Sequence, residues 1–362
     1  MINKVKRTEI LFEFLRVLAA MLLAYLLVII CLYFMVDDHL EGIKLFILGP
    51  FMTKRRIGNV ICRMIPYMIT GSGMCFCYAA NRFNLSGEGS FLVAGCISTC
   101  AAFALQNYNI PHVVLIIILL AVGALCGIAS SSVTALMREK LGANEVVVSI
   151  MSNYIMLYLN NYILKNYLQA RGETSVTSEL LPQNALLSGI VKGTDIHSGL
   201  YISIGFVLIT IGVFYFTPFG TQLKLCGSNE DFGHYVGLNT TSYMIIAQLA
   251  CGAMCGIAGT IETFGLYSRF QWTNLTQYVY DGLMVAVIAR KNPIFIPLGA
   301  FLLAYMRTGA NVLNFNTSVP IEFVQVMQAV MIICIAGQLF LSKTKEKIIY
   351  SEARERLKGE IK

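Results

Sequence analysis

The strongest constraint on this chain is a succession of apolar runs, most of them close to the length needed to cross a lipid bilayer. A hydrocarbon core about 30 Å thick takes roughly 20 apolar residues in a helix. Such runs occupy residues 17–36, 60–80, 91–105, 112–137, 146–164, 199–216, 242–261, 278–289, 294–306 and 320–341. Backbone polar groups find no water inside lipid, so these runs must form helices. Only 13% of the residues are charged, against about 25% in soluble domains. The expected fold is all-α, a polytopic membrane protein of about ten transmembrane helices. Five plus five spans also suit an inverted repeat, although no self-similarity in the sequence supports one.

Charge sets the expected orientation. Basic residues gather at Lys4, Lys6, Arg7 and Arg16, at Arg138 and Lys140, at Arg290 and Lys291, and in the tail. Cytoplasmic loops carry the excess of lysine and arginine, so both termini are expected in the cytoplasm. This divides the chain into a cytoplasmic segment 1–16, a transmembrane domain 17–341 and a charged cytoplasmic tail 342–362. Lys44, Lys54, Arg55, Arg56 and Arg63 run against the rule, in or beside the loop after the first run. The first run follows basic residues as a signal peptide does, but it is too long and has no clear cleavage site, so an uncleaved span is expected. The net charge of +7 follows from this topology and does not call for nucleic acid. The eleven cysteines lie mostly in apolar runs, where small side chains serve packing. No histidine accompanies the closely spaced pairs Cys75/Cys77, Cys96/Cys100 and Cys251/Cys255 as a metal site would favour.

Polar residues inside the apolar frame are the candidate functional groups. Asn84 and Glu88 stand in a stretch of about ten residues between two apolar runs. Irregular backbone at membrane depth is tolerated where it lines a water-filled path, and ionisable residues there are functional candidates. An ordinary cytoplasmic turn fits the same stretch. Asn153 and Asn160 share a helix face, as do Gln325 and Gln328. These amides suit either a polar solute with ring edges or bonds between helices. Asn84, Glu88, Asn153 and Gln325 are the candidate pathway residues. Gly123/Gly127 and Gly252/Gly256 have the spacing of close helix packing.

One polar stretch, residues 217–241, looks built for a separate task. A short helix is expected at 228–237, with Ser228 as N-cap, Asp231 completing a capping box, Glu230 at the positive end of the dipole and Gly237 ending it. The sequence has no G-x-x-x-x-G-K-[ST] phosphate loop, no H-E-x-x-H and no G-x-S-x-G. Neither an enzyme nor a bound cofactor is expected.

Four ordered blocks carry a resemblance. Pro66-Tyr67-Met68-Ile69-Thr70-Gly71 precedes Phe83-Asn84-Leu85-Ser86-Gly87-Glu88-Gly89. Gly142-Ala143-Asn144-Glu145-Val146 precedes Ser149-Ile150-Met151-Ser152-Asn153-Tyr154. Thr217-Pro218-Phe219-Gly220 precedes Gly227-Ser228-Asn229 and Gly237-Leu238-Asn239. Tyr280-Asp281-Gly282-Leu283-Met284-Val285-Ala286 precedes Asn292-Pro293. Over residues 61–341 the chain resembles the inner-membrane permeases of ABC importers, in the branch that carries simple sugars and nucleosides. Ser90, Val279 and Ala289 depart from that pattern. The resemblance implies a bacterial cell membrane location and three partners: an ATP-binding subunit, a second permease subunit (a copy or a homologue) and an extracytoplasmic solute-binding lipoprotein. It also implies that residues 228–238 are a coupling helix docked on the ATPase, with Gly227, Ser228, Asn229, Glu230, Asp231, Gly233, Tyr235 and Gly237 as its coupling residues. Ten spans with buried polar groups also fit a self-sufficient secondary transporter or channel for a small polar solute.

Overall fold

The computed structural model describes residues 39–317, apart from 171, 173 and 174, together with the isolated positions 26, 29 and 326. Those isolated positions aside, the first and last expected spans lie outside the described residues, as do the charged ends and Gln325. The helices are α1 (His39–Leu48), α2 (Lys54–Ala79), α3 (Gly87–Leu105), α4 (His112–Leu141), α5 (Glu145–Ile163), α6 (Gly199–Phe216), α7 (Pro218–Ser228), α8 (Glu230–Tyr235), α9 (Thr240–Leu266), α10 (Tyr278–Ile288) and α11 (Ile296–Asn316). No strand forms among the described residues, only two isolated antiparallel bridges, Gln169 with Ser178 and Gly189 with His197.

Six of these helices, α2, α3, α4, α6, α9 and α11, are long and apolar enough to cross a membrane, and α10 is a shorter apolar helix. The chain is all-α and multi-pass. In α5 the apolar run is interrupted by Ser149, Ser152, Asn153, Asn160 and Asn161.

The chain forms two compact units. In the unit of residues 1–50 and 309–362, the carbonyl of Phe46 lies 2.6 Å from where a Cβ on Gly309 would stand. In the unit of residues 51–308, α9 is the central element and packs on α2, α3 and α4. A Cβ on Gly127 would lie 2.1 Å from the carbonyl oxygen of Gly252, and one on Gly256 would lie 2.1 Å from that of Gly123. The paired glycines thus bring the backbones of α4 and α9 into direct contact, as their spacing indicates.

Several boundaries differ from the apolar runs. α2 starts at Lys54, where the Thr53 side chain accepts the Arg56 backbone N–H. Lys54, Arg55 and Arg56 are therefore helical rather than part of a loop, and Arg63, inside the expected span, borders a polar cavity. Pro66 lies inside α2 without ending it. α3 begins at Gly87, so Glu88 occupies its first turn.

Candidate functional site

A cavity of about 330 Å³ opens where α2, α10, α11 and the α9–α10 connection meet. That connection, residues 267–277, is irregular, and irregular backbone between apolar helices is stable where it borders a polar space. Arg63 and Tyr67 come from α2, Tyr267, Trp272 and Thr276 from the connection, Tyr278 and Asp281 from α10, and Arg307 from α11. Asp281 is 2% exposed and is held from two sides. The Tyr67 hydroxyl donates to its Oδ2 at 2.6 Å, and Arg307 donates to its Oδ1 at 2.8 Å. Tyr278 donates to Glu262 at 2.7 Å. Trp272 packs on Phe91, Tyr267 and Phe270 with centroids 5.4, 5.4 and 5.5 Å away. Fixed aromatic walls with a few oriented polar groups are what a small-molecule site requires.

Beside this cavity lies a network centred on the buried side chains of Glu88, Asn153 and Asn84. Glu88 Oε1 accepts the Thr276 hydroxyl at 2.8 Å and also the Gln277 N–H, while Oε2 accepts the Val279 N–H at 3.0 Å. Helix N-termini leave backbone donors unsatisfied and carry partial positive charge. Glu88 answers both needs for α10. Gln277 enters that helix with φ of 68°. Asn153 Oδ1 accepts the Gly89 N–H at 2.9 Å, and its amide donates to the Leu85 carbonyl at 2.9 Å and the Tyr280 hydroxyl at 3.1 Å. Asn84 donates to the Gln248 carbonyl at 3.2 Å and accepts the Ser86 N–H at 3.2 Å.

Asn84, Glu88 and Asn153 are therefore brought together around residues 84–89, and none of them is on the cavity wall. Asn84 is 1% exposed, unlike a residue of an open turn. The amide pattern does not reveal Tyr67, Asp281 and Arg307. The available signal was an ionisable residue in or next to an apolar run, Asp281 within 278–289 and Arg307 directly after 294–306.

The polar stretch after α6 forms two helices rather than one. α7 opens with Pro218 at its first position and runs through Ser228, whose hydroxyl donates to the Leu225 carbonyl at 2.8 Å. Ser228 thus closes α7, and the capping box with Asp231 does not form. Asn229, extended at φ −156°, is the N-cap of α8, and its side chain accepts the Phe232 N–H at 3.0 Å. α8 then ends at Tyr235, and Gly237 has φ of 84°, the left-handed geometry expected of it. Gly233 is buried, and a Cβ there would lie 2.7 Å from Thr240 Cγ2. The outer side of α8 is different: Asp231, Phe232 and Val236 are exposed, and Tyr235 is 91% exposed. Glu230 pairs with Arg82 at 2.9 Å.

Residues 56–336 match the family described as branched-chain amino acid transport system / permease component. The chain is 28% identical over 317 residues to the nucleoside ABC transporter permease protein NupB of Lactococcus lactis subsp. cremoris, covering 84% of this chain and 86% of that one. It is 25% identical over 300 residues to the guanosine ABC transporter permease protein NupP of Bacillus subtilis, covering 80% and 85%. It is 22% identical over 323 residues to the glucose ABC transporter permease protein TsgB13 of Haloferax volcanii, covering 86% and 84%.

Proposed function

The chain belongs to the branched-chain amino acid transport system / permease component family, and from that premise we propose that it forms the translocation path of an ATP-driven importer for nucleosides or a simple sugar. As a permease component it is a transport subunit, not an enzyme. The observation that carries the solute class is the cavity of about 330 Å³ with its aromatic and hydrogen-bonding wall. Rings stack on tyrosine and tryptophan, and hydroxyl or base-edge groups meet the polar side chains. Relatives named for nucleoside, guanosine and glucose transport support the same range. Arg63, Tyr67, Tyr278, Asp281 and Arg307 face the solute in this reading. Asn84, Glu88 and Asn153 shape the path from behind, and Gln325 is assigned to it on sequence grounds.

Energy arrives from a separate ATP-binding subunit docked on α8, since the sequence has no phosphate loop. The exposed Phe232, Tyr235 and Val236 enter a groove of that subunit, while Gly227, Ser228, Asn229, Glu230, Asp231, Gly233 and Gly237 give the connection its shape. A second permease subunit completes the path, and an extracytoplasmic solute-binding lipoprotein delivers the solute. Membrane lipid covers exposed apolar residues such as Ile117 and Leu125 of α4 and Leu208 of α6. Both termini and α8 face the cytoplasm, where the basic loops place them. ATP binding draws two docked helices together. The permease follows only as far as ATP favours one of its two states over the other.

Charged, bulky residues at Gly233 and Tyr235 test the docking, read as copurification with the ATP-binding subunit and solute uptake. The expected result is loss of both. Undiminished assembly with undiminished uptake would overturn it. Ion-gradient-driven uptake by the chain alone in liposomes would instead favour a self-sufficient secondary transporter.

A further inference from the structure

Arg82 stands where the α7–α8 connection meets the rest of the unit. It follows the end of α2 in a turn, yet it is 8% exposed. Its Nε donates to Glu139 of α4 at 2.7 Å, and its Nη2 pairs with Glu230 of α8 at 2.9 Å. One guanidinium thus holds carboxylates from two other helices. The contact is reinforced beside it, since a Cβ on Gly227 would lie 2.0 Å from the Ala79 carbonyl oxygen. α7 therefore rests directly on the last turn of α2.

From Arg82 the chain runs six residues to Glu88, and its polar groups are held along the way. Asn84 bonds to the Gln248 carbonyl, Ser86 Oγ lies 2.9 Å from Thr134 Oγ1, and Asn153 holds both Leu85 and Gly89. At the far end Glu88 holds the first backbone donors of α10, which carries Tyr278 and Asp281 to the cavity wall.

We infer that Arg82 is a transmission residue: its ion pair with Glu230 ties movement of α8 to residues 82–88, and Glu88 passes that movement to α10 and the cavity wall. A largely buried guanidinium cannot be left without a carboxylate cheaply. When Glu230 moves, Arg82 either follows it or settles wholly on Glu139, and these are two discrete arrangements of the kind that can carry coupling. The inference rests on the reading of α8 as the ATPase dock.

The test uses the full reconstituted importer and reads solute moved per ATP hydrolysed, in complexes that have copurified. Arg82→Gln is expected to assemble and hydrolyse ATP while that ratio falls about tenfold, within the usual span of coupling energies. Glu230→Gln, scored only in complexes that still copurify because Glu230 belongs to the docking connection, is expected to lower the ratio by a similar factor. The double variant is expected to be no worse than Arg82→Gln, because both remove one link. If Arg82→Gln fails to fold, Arg82→Lys serves, since a single ammonium nitrogen loses the separate 2.7 Å bond from Nε to Glu139 that the guanidinium fork makes, and its ratio falls as well. A ratio within about twofold of the unmodified importer in an assembled Arg82 variant, or additive losses in the double variant, overturns the inference. The docking reading fails separately, if the Gly233 and Tyr235 variants still assemble and transport.

Discussion

Glu88 Oε2 accepts the backbone N–H of Val279 at 3.0 Å, joining the start of α3 to the start of α10 across 191 positions of chain. Glu88→Gln keeps the side-chain shape but replaces one acceptor oxygen with a donor. Either the Val279 N–H, or the Gln277 N–H with the Thr276 hydroxyl, then loses its acceptor, at about 1–3 kcal/mol where the orphaned group is buried. The expected outcome is a lower unfolding temperature in detergent and slower uptake, with Glu88→Ala worse on both measures. Unchanged melting and uptake in Glu88→Gln would show that the contact supports neither.

Asp281 and Arg307 yield a second prediction. Asp281→Asn removes the charge that Arg307 meets at 2.8 Å, and breaking a buried pair from one side costs roughly 3 kcal/mol. Adding Arg307→Gln to that variant removes the cation that Asp281 had balanced, so part of the lost stability should return. Thermal unfolding of the two single variants and the double variant checks this, and additive losses would contradict it.

Much of the frame was legible in the sequence because burial in lipid leaves few choices. Residues 199–216 coincide with α6, and the short run 278–289 with α10 almost to the residue. Boundaries drifted where hydropathy stopped being informative. Lys54 to Asn59 continue α2 because Thr53 caps it, and α3 starts four residues before its apolar run. Ser228 and Asn229 are both good caps by composition, and only the upstream helix from Pro218 decides between them. Asn84, Glu88 and Asn153 stood out as polar residues in an apolar setting. Most of their partners are far away in the chain, as Val279 is from Glu88 and Leu85 from Asn153, and sequence spacing cannot show these. Arg82 was visible only as a basic residue in a loop, since its two carboxylates lie on other helices.

The α4–α9 contact separates glycines that matter from those that do not. Gly127→Ala must push the backbone of Gly252 away from a 2.1 Å approach, and overpacking of this kind costs about 1–3 kcal/mol. Gly212 in α6 has open space around it, so Gly212→Ala should be neutral or slightly stabilising, as alanine favours a helix. The order of the two unfolding temperatures checks the contact directly.

His197 supplies the pH dependence. It lies in the connection before α6, is 1% exposed, and its Nε2 has no hydrogen-bond partner. Its Nδ1 accepts the Gly199 N–H at 3.3 Å. Burial without a compensating charge pushes its pKa down from 6.5 to about 4. The unfolded chain therefore binds a proton between these values that the folded chain refuses. Stability is unaffected above 6.5, falls as the pH drops through the window, and levels off below about 4, with a total loss on the order of 3 kcal/mol. His197→Gln does not titrate, so it should flatten the fall in unfolding temperature between about pH 7 and about pH 5. Parallel curves for the two proteins would assign that fall to other groups.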